Sequence, residues 1–307
     1  MTQKFFKLSL FIFSLYLATL FPLSSYAAMS STNYQIRFDS VGVGGTDTAT
    51  SASYKVRDSL EIIQGSGSSA TYRLDNGYRG GIYDPVVHFN VLSQSIATQV
   101  AATAITSTSV SVTTTTGYVT GDYIVVIQDQ GLSQIAAMAR VTSVDGTTIN
   151  VDFFQYSSSL PVIDSANDYV YEMTGSSLPL TSISPTTVTT GILGWEVAAD
   201  VPTGYNVYVM ENQDFQTTEG VVLDDVTDGA VTATVEEYGA RSSDSSLASS
   251  TFDTADTSIT TSLQQVASRS GATLKARDFL TLKAAAAANS INGDYSHTIT
   301  VVFVGSY

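Results

Sequence analysis

The chain of 307 residues contains no cysteine. That excludes disulfides, a thiol nucleophile and a thiolate-bound metal, so any fold it makes rests on apolar burial and hydrogen-bonded backbone. Histidine is nearly as scarce. His88 and His297 lie in separate stretches, "VVHFNV" and "DYSHTITV". Nothing in the sequence brings them together as a metal site or an acid–base pair. The H-E-x-x-H, G-x-S-x-G and P-loop patterns are missing, as is any N-x-[ST] acceptor for N-glycosylation. Charge is sparse and one-sided. Only 13% of residues are charged, and 28 of those are acidic against 13 basic. A chain this acidic is a poor partner for nucleic acid or an anionic membrane surface.

What is present begins with a leader. Lys4 and Lys7 precede the apolar run "LSLFIFSLYLATLF", and Ser25 and Ala27 occupy the small-residue positions of a cleavage site. This pattern predicts a signal peptide over 1–27, cut after Ala27, rather than a membrane anchor. The mature chain then reaches the extracellular space or the cell surface. It carries no predicted transmembrane span, and without cysteine it cannot be a lipoprotein. Its charge is −17, since two of the 13 basic residues leave with the leader.

Thr, Ser, Val, Ala and Gly dominate the remainder, a composition that suits an all-β protein with hydroxyl-rich outer faces. Three segments follow the leader. In 28–84 the strings "STNYQIR", "SASYKVR" and "SATYRLD" repeat, separated by Gly/Ser/Thr-rich stretches that read as hairpin loops. Each repeat alternates with period two, and the pattern predicts a three-stranded meander. Its inner face is Tyr34, Ile36, Phe38, Tyr54, Val56, Tyr72 and Leu74. Arg37, Lys55, Arg57, Arg73 and Arg79 fall on the outer face. They read either as charge protection of a small sheet or as a docking face for an acidic partner.

Segment 85–175 has short strands at even spacing, including "TSVSVTT", "DYIVVIQ", "QIAAMARVTSV" and "DYVYEM", with "VVHFNVL" at its start. They predict a small β-barrel-like domain. Segment 176–307 reads as a C-terminal β-sandwich, Ig-like or jelly-roll-like, with "GILGWEVAAD", "GYNVYVM", "GAVTATVEEYG", "TLKARDFLTLKAAAA" and "DYSHTITVVFVG" as strands. Trp195, the only tryptophan, reads as a sandwich-core anchor rather than a sugar-stacking platform.

The string "STNYQIRFDSVGVGG…SASYKVRDSLEIIQGSGSSATYRLDNGYRGG" resembles a segment that follows the signal peptide in uncharacterised exported proteins of bacteria, notably candidate-phylum bacteria. The strings "GWEVAADVPTGYNVYV", "DDVTDGAVTATVEEYG" and "AAAAANSINGDYSHTITVVFVGSY" resemble a domain that closes such proteins. The resemblance implies a secreted, β-rich surface protein. It assigns no catalytic or binding residue.

Few residues offer chemistry. Asp224, Asp225 and Asp228 in "LDDVTDG" are the best candidates for a structural calcium, although Asp in turns also serves turn geometry. No other cofactor is expected. Glu236 and Glu237 are strand neighbours and point to opposite faces, so they cannot form a glycosidase pair. Glu196 could pair with either, but spacing does not fix it. The sequence therefore predicts a non-enzymatic structural or adhesive surface protein. It would act by self-association or by contact with a cell-envelope component. The alternative is a carbohydrate- or ligand-binding module.

Overall fold

The computed structural model describes residues 87–131, 134–164 and 166–306, and the backbone alone of 45–50, 55–59, 65–68 and 73–76. The protein is all-β, with 18 strands, no α-helix and one short 3₁₀ turn among the described residues. The chain divides into two compact units, Met1–Asp84 and Pro85–Tyr307. The expected signal peptide, the repeat strand at Tyr34, and Arg37 and Arg79 lie outside the described residues.

In the first unit, β1 (Gly45–Thr50) pairs with β2 (Lys55–Ser59), and β3 (Gly65–Ser68) with β4 (Arg73–Asn76), both antiparallel. Where the sequence predicts one three-stranded meander, the described residues form two separate hairpins. Two stretches expected to be loops are strands. "GTDTAT" carries β-branched Thr46, Thr48 and Thr50 at period two, a strand pattern hidden by its hydroxyl-rich composition. "GSGS" has no such pattern and, among the described residues, pairs with β4.

The second unit opens with β5 (Val87–Ser93) and continues through β6 (Val100–Ile105), β7 (Ser109–Val112), β8 (Tyr123–Gln128), β9 (Ile135–Asp145), β10 (Thr148–Val151), β11 (Gln155–Tyr156) and β12 (Tyr169–Glu172). Six of these close on themselves in the order β10-β7-β6-β12-β8-β9, because β10 pairs with both β7 and β9. A closed ring leaves no unpaired edge within it. Its interior is filled by small and branched side chains, among them Ala102, Val110, Ile124, Val126, Ala137, Ala139, Ile149 and Val170. Successive residues of β8 serve opposite faces. Ile124 and Val126 point into the ring, while Val125 and Ile127 pack outside it.

The remaining strands are β13 (Thr189–Ala199), β14 (Tyr205–Glu211), β15 (Glu237–Ser242), β16 (Gln264–Arg269), β17 (Thr273–Ala285) and β18 (Ile299–Gly305). They form a four-stranded sheet, β15-β17-β13-β5, and a three-stranded sheet, β16-β14-β18. One core joins the two: Trp195, Val197, Leu280 and Leu282 from the first meet Tyr205, Val207, Val209 and Val266 from the second. Trp195 is fully buried, as a core anchor should be. The edge strands β5 and β18 meet through Phe89 and Phe303, whose ring centroids lie 5.7 Å apart.

Four strand assignments differ from the sequence reading. "VVHFNVL" forms β5, which pairs with β13 and so joins the sheet of the last segment instead of the ring. "GAVTATVEE" is irregular until Glu237, because Thr234 turns through φ +77° and the Glu237 carboxylate accepts from Thr232 N. "VAATAI" and "QQVASR" are strands that the sequence did not announce, since Ala, Gln and Ser blur the alternation. "KAAAAANS", helical by propensity but expected to end a strand, does extend β17 to Ala285, since both neighbouring strands supply hydrogen bonds.

The ring packs on the outer face of the four-stranded sheet. Val125, Ile127, Met138, Tyr171 and Met173 meet Ile192 and Phe279. Gly194 makes this approach possible, since a Cβ there would stand 2.7 Å from Met138 Sδ. Beside this contact lies a buried charged network. Strand register sets Glu196 directly opposite Arg277. The Arg277 side chain is 0% exposed and donates to Glu196 at 2.7 Å and to both Asp152 oxygens at 2.8 and 2.6 Å. Tyr123 Oη donates to the other Glu196 oxygen at 2.7 Å. The guanidinium also stacks on the Phe153 ring at 4.4 Å. Its neighbouring cation holds the Asp152 carboxyl below the usual range against the opposing effect of burial.

Candidate functional site

Period-two alternation places the most unusual side chains of the second unit. In β14 the residues Tyr205, Val207 and Val209 face the core, and the same register carries Glu211 inward. In β18 Ile299, Val301 and Phe303 pack on the core, and two residues earlier the register brings in His297. Tyr238 of β15 completes the set. His297 Nδ1 donates to Glu211 Oε2 at 2.9 Å, and Nε2 shares a hydrogen bond with Tyr238 Oη at 2.9 Å. A carboxylate can only accept, so the proton of this contact sits on Nδ1. Glu211 is 2% exposed and Tyr238 1%. Burial raises the Tyr238 phenol far above its ordinary range, and the Glu211 and Asp225 charges add to the shift.

Phe215 closes the cluster from outside. Its ring lies 4.9 Å from that of Tyr238, 5.1 Å from His297 and 5.9 Å from Tyr295. Beyond it runs a groove of about 770 Å³ lined by Leu180, Ile183, Phe215, Leu223, Asn292 and Tyr295, among others. Thr181 in its wall holds φ +55°, a left-handed conformation that β-branched residues rarely adopt. Tyr295 Oη donates to Ile291 O at 2.8 Å, and the Ser290 hydroxyl donates to Glu236. Phe215 seals the relay from this groove, so a bound ligand would meet aromatic and amide groups and not the histidine.

The predicted calcium residues sit nearby but serve other ends. Asp228 Oδ1 accepts from Ala230 N at 3.1 Å, a turn contact. Asp224 gives its backbone carbonyl to Tyr238 N at 2.7 Å. Asp225 is pushed up to about 6, first by burial and then by the charges of Glu211, Asp214 and Asp224. Among the described residues no three His, Cys, Asp or Glu side chains group as a metal-holding set. The three glutamates are dispersed as well. Glu196 belongs to the Arg277 network, Glu236 meets Ser290, and Glu237 accepts from Thr232 N. His88 is exposed on β5, far in sequence and in sheet position from His297.

Of the predicted interaction face, Lys55 and Arg57 lie on β2 and Arg73 on β4. Lys55 and Arg57 are two apart on one strand and so share a face. No pairing among the described residues joins β2 to β4.

Sequence reasoning missed the Glu211–His297–Tyr238 relay. The signal was available in "YNVYVME" and "HTITVVF", where continuing the apolar register by one step puts an ionisable residue inside. Comparison with known proteins found no matching family model, no matching curated protein and no matching solved structure. No helix among the described residues is long and apolar enough to cross a membrane.

Proposed function

We propose that this is an exported surface protein with a structural or adhesive role, not an enzyme, and that it works by associating with further copies or with the cell envelope. The observation that supports this reading most is the use made of ionisable groups in the second unit. Most of its buried ionisable groups are engaged with one another: Arg277 with Asp152 and Glu196, Arg269 with Asp244 and Asp278, Lys283 with Asp256, and His297 with Glu211. Each pairing ties one strand or loop to another, and none opens into the groove. Such an arrangement favours rigidity over turnover.

The surface left over is strongly acidic. Residues 85–307 hold 6 basic and 22 acidic side chains, and three of the six cations are bound in those internal pairs. Arg37, Lys55, Arg57, Arg73 and Arg79 of one molecule would be drawn to this surface on the next. The test is light scattering and electron microscopy of the mature protein at about 100 µM, above the micromolar affinity of a weak contact. Assemblies that dissolve at about 1 M salt, where screening acts within about 3 Å, support the reading. They should also be lost when the five basic residues are changed to Ser. Monomers at low salt would refute self-association.

A second reading, a module that binds carbohydrate or another ligand, is favoured by the groove with Phe215, Tyr295 and Asn292 in its lining. Binding on a glycan array that is lost in Tyr295→Ala would establish it.

A further inference from the structure

Lys283 and Asp256 are the one lysine–carboxylate ion pair among the described residues, and it is buried. The Lys283 side chain is 12% exposed and that of Asp256 3%. Nζ lies 2.8 Å from Oδ1 and 3.0 Å from Oδ2, so the amine faces the carboxyl group from within contact distance of its carbon. Apolar side chains flank the pair on one side. Ala285, two residues beyond Lys283 and on the same strand face, clusters with Val188, Val226 and Val231. Opposite Lys283 in β15 stands Gly239, where a Cβ would come within 2.5 Å of Val226. A second carboxylate is held alongside by consecutive backbone amides. Val231 N donates to Asp256 Oδ2 at 2.9 Å, and Thr232 N donates to Glu237 Oε2 at 3.0 Å.

We infer that Lys283 and Asp256 join through an intramolecular amide, an isopeptide bond between Nζ and Cγ. Proton transfer across the short hydrogen bond turns ammonium and carboxylate into amine and carboxylic acid. The amine lone pair then attacks Cγ and forms the C–N bond. The C–OH bond breaks, and the hydroxyl leaves as water with a second proton from the nitrogen. The product is one secondary amide and one water, with no oxidant, reductant or cofactor required. Burial favours this by holding the reacting groups together in one geometry. Glu237 is a positioning residue: its carboxylate holds Thr232 N next to Val231, whose own amide fixes Asp256 Oδ2. The link would staple the Asp256 loop to the central strand β17 in a chain that has no cysteine to do so. This inference stands apart from the proposed function, since it holds whether or not the protein self-associates.

The experiment is a tryptic digest of the full mature protein followed by mass spectrometry. The expected product is a branched species joining Ser242–Arg269 to Asp278–Tyr307, one water lighter than the two peptides together and uncut after Lys283. Recovery of Ser242–Arg269 and Asp278–Lys283 as separate peptides in full yield would overturn the proposal. Lys283→Arg keeps the cation but cannot form this amide. It should abolish the branched species, lower the unfolding midpoint and preserve the far-UV circular dichroism of the native fold. Glu237→Gln should slow the link's formation, so that freshly folded protein contains unlinked chain that converts with time. Should Glu237→Gln link as fast as the native chain, the part given to Glu237 is wrong.

Discussion

The ring and the two-sheet body of the second unit solve the same problem differently. The ring satisfies its backbone by closing, and its interior is made of Ala, Val and Ile with Tyr118 and Phe154 as the large members. Among its described residues Asp168 is the one charged side chain that is buried. The two-sheet body keeps open edges and a sheet covered on both faces, and it buries Glu196, Glu211, Glu237, Asp244, Asp256, Arg277 and Asp278. Closure removes the need to pin strands through their side chains. An open stack must fix its register and its loops some other way, and here charged pairs at named cross-strand positions do so. Paired buried charges are costly to desolvate, so their value lies more in specifying one arrangement than in net stabilisation.

The sharpest way to break this contrast is Arg277→Met. It leaves Asp152 and Glu196 buried without their cation, and unfolding in urea should show a loss of about 3–5 kcal/mol. Replacing Arg277, Asp152 and Glu196 together by apolar residues should recover most of that loss. A single-variant loss below about 1 kcal/mol would mean that the network is incidental. The ring is tested by Ile124→Ala, which opens a cavity among small neighbours. The expected cost is about 2–4 kcal/mol, with no change in the pH dependence of stability.

A smaller effect concerns pH. Burial, with the Asp244 charge adding to it, pushes Asp278 up to about 7, and Arg269 opposes this only in part because it is shared between Asp244 and Asp278. A carboxyl raised in the folded state holds its proton more tightly there than in the unfolded chain. Its contribution is therefore complete below the ordinary carboxylate range and is lost as pH rises through about 7. Asp225, at about 6, acts in the same direction, whereas Asp152, which is lowered, loses its contribution in acid. Thermal melts should show the midpoint rising between about pH 7 and about pH 5, and Asp278→Asn should flatten that rise. A wild-type midpoint that falls steadily over the interval would contradict the assignment. The smallest effect is the control. Lys275 is exposed and outside every ion pair described, so Lys275→Ala should change stability by less than about 0.5 kcal/mol.

Much of the architecture could be read from period-two alternation. "DYIVVIQ", "GILGWEVAAD", "GYNVYVM" and "TITVVFVG" are strands because apolar residues line one face or both. What could not be read was which strands pair. Nothing in "VVHFNVL" says that its partner is Trp195's strand a hundred residues away, since both faces of β5 carry apolar residues that suit either sheet. The buried pairs were illegible for a related reason. Arg277 and Glu196, or Lys283 and Asp256, become partners only once register and loop path are fixed, and a charged residue on a strand otherwise reads as facing water. The relay at His297 lies between these cases: strand register points Glu211 and His297 inward, but their meeting with Tyr238 depends on how the two sheets stack.

The meeting of β5 and β18 has a mechanical consequence. Val87, where the chain enters the second unit, lies opposite Ala199, and Gly305, where it leaves, lies opposite Tyr205. Only the short turn 200–204 separates those two partners, and Ser306 N bonds back to Gly204 O at 2.8 Å. The two ends of this unit therefore stand at one corner. A pull applied through them would peel β5 from β13 and β18 from β14 one hydrogen bond at a time, like opening a zip, instead of shearing whole ladders at once. The same corner makes the unit portable. It could be spliced into a surface loop of another protein, or have its ends joined and be reopened elsewhere, without stretching its host.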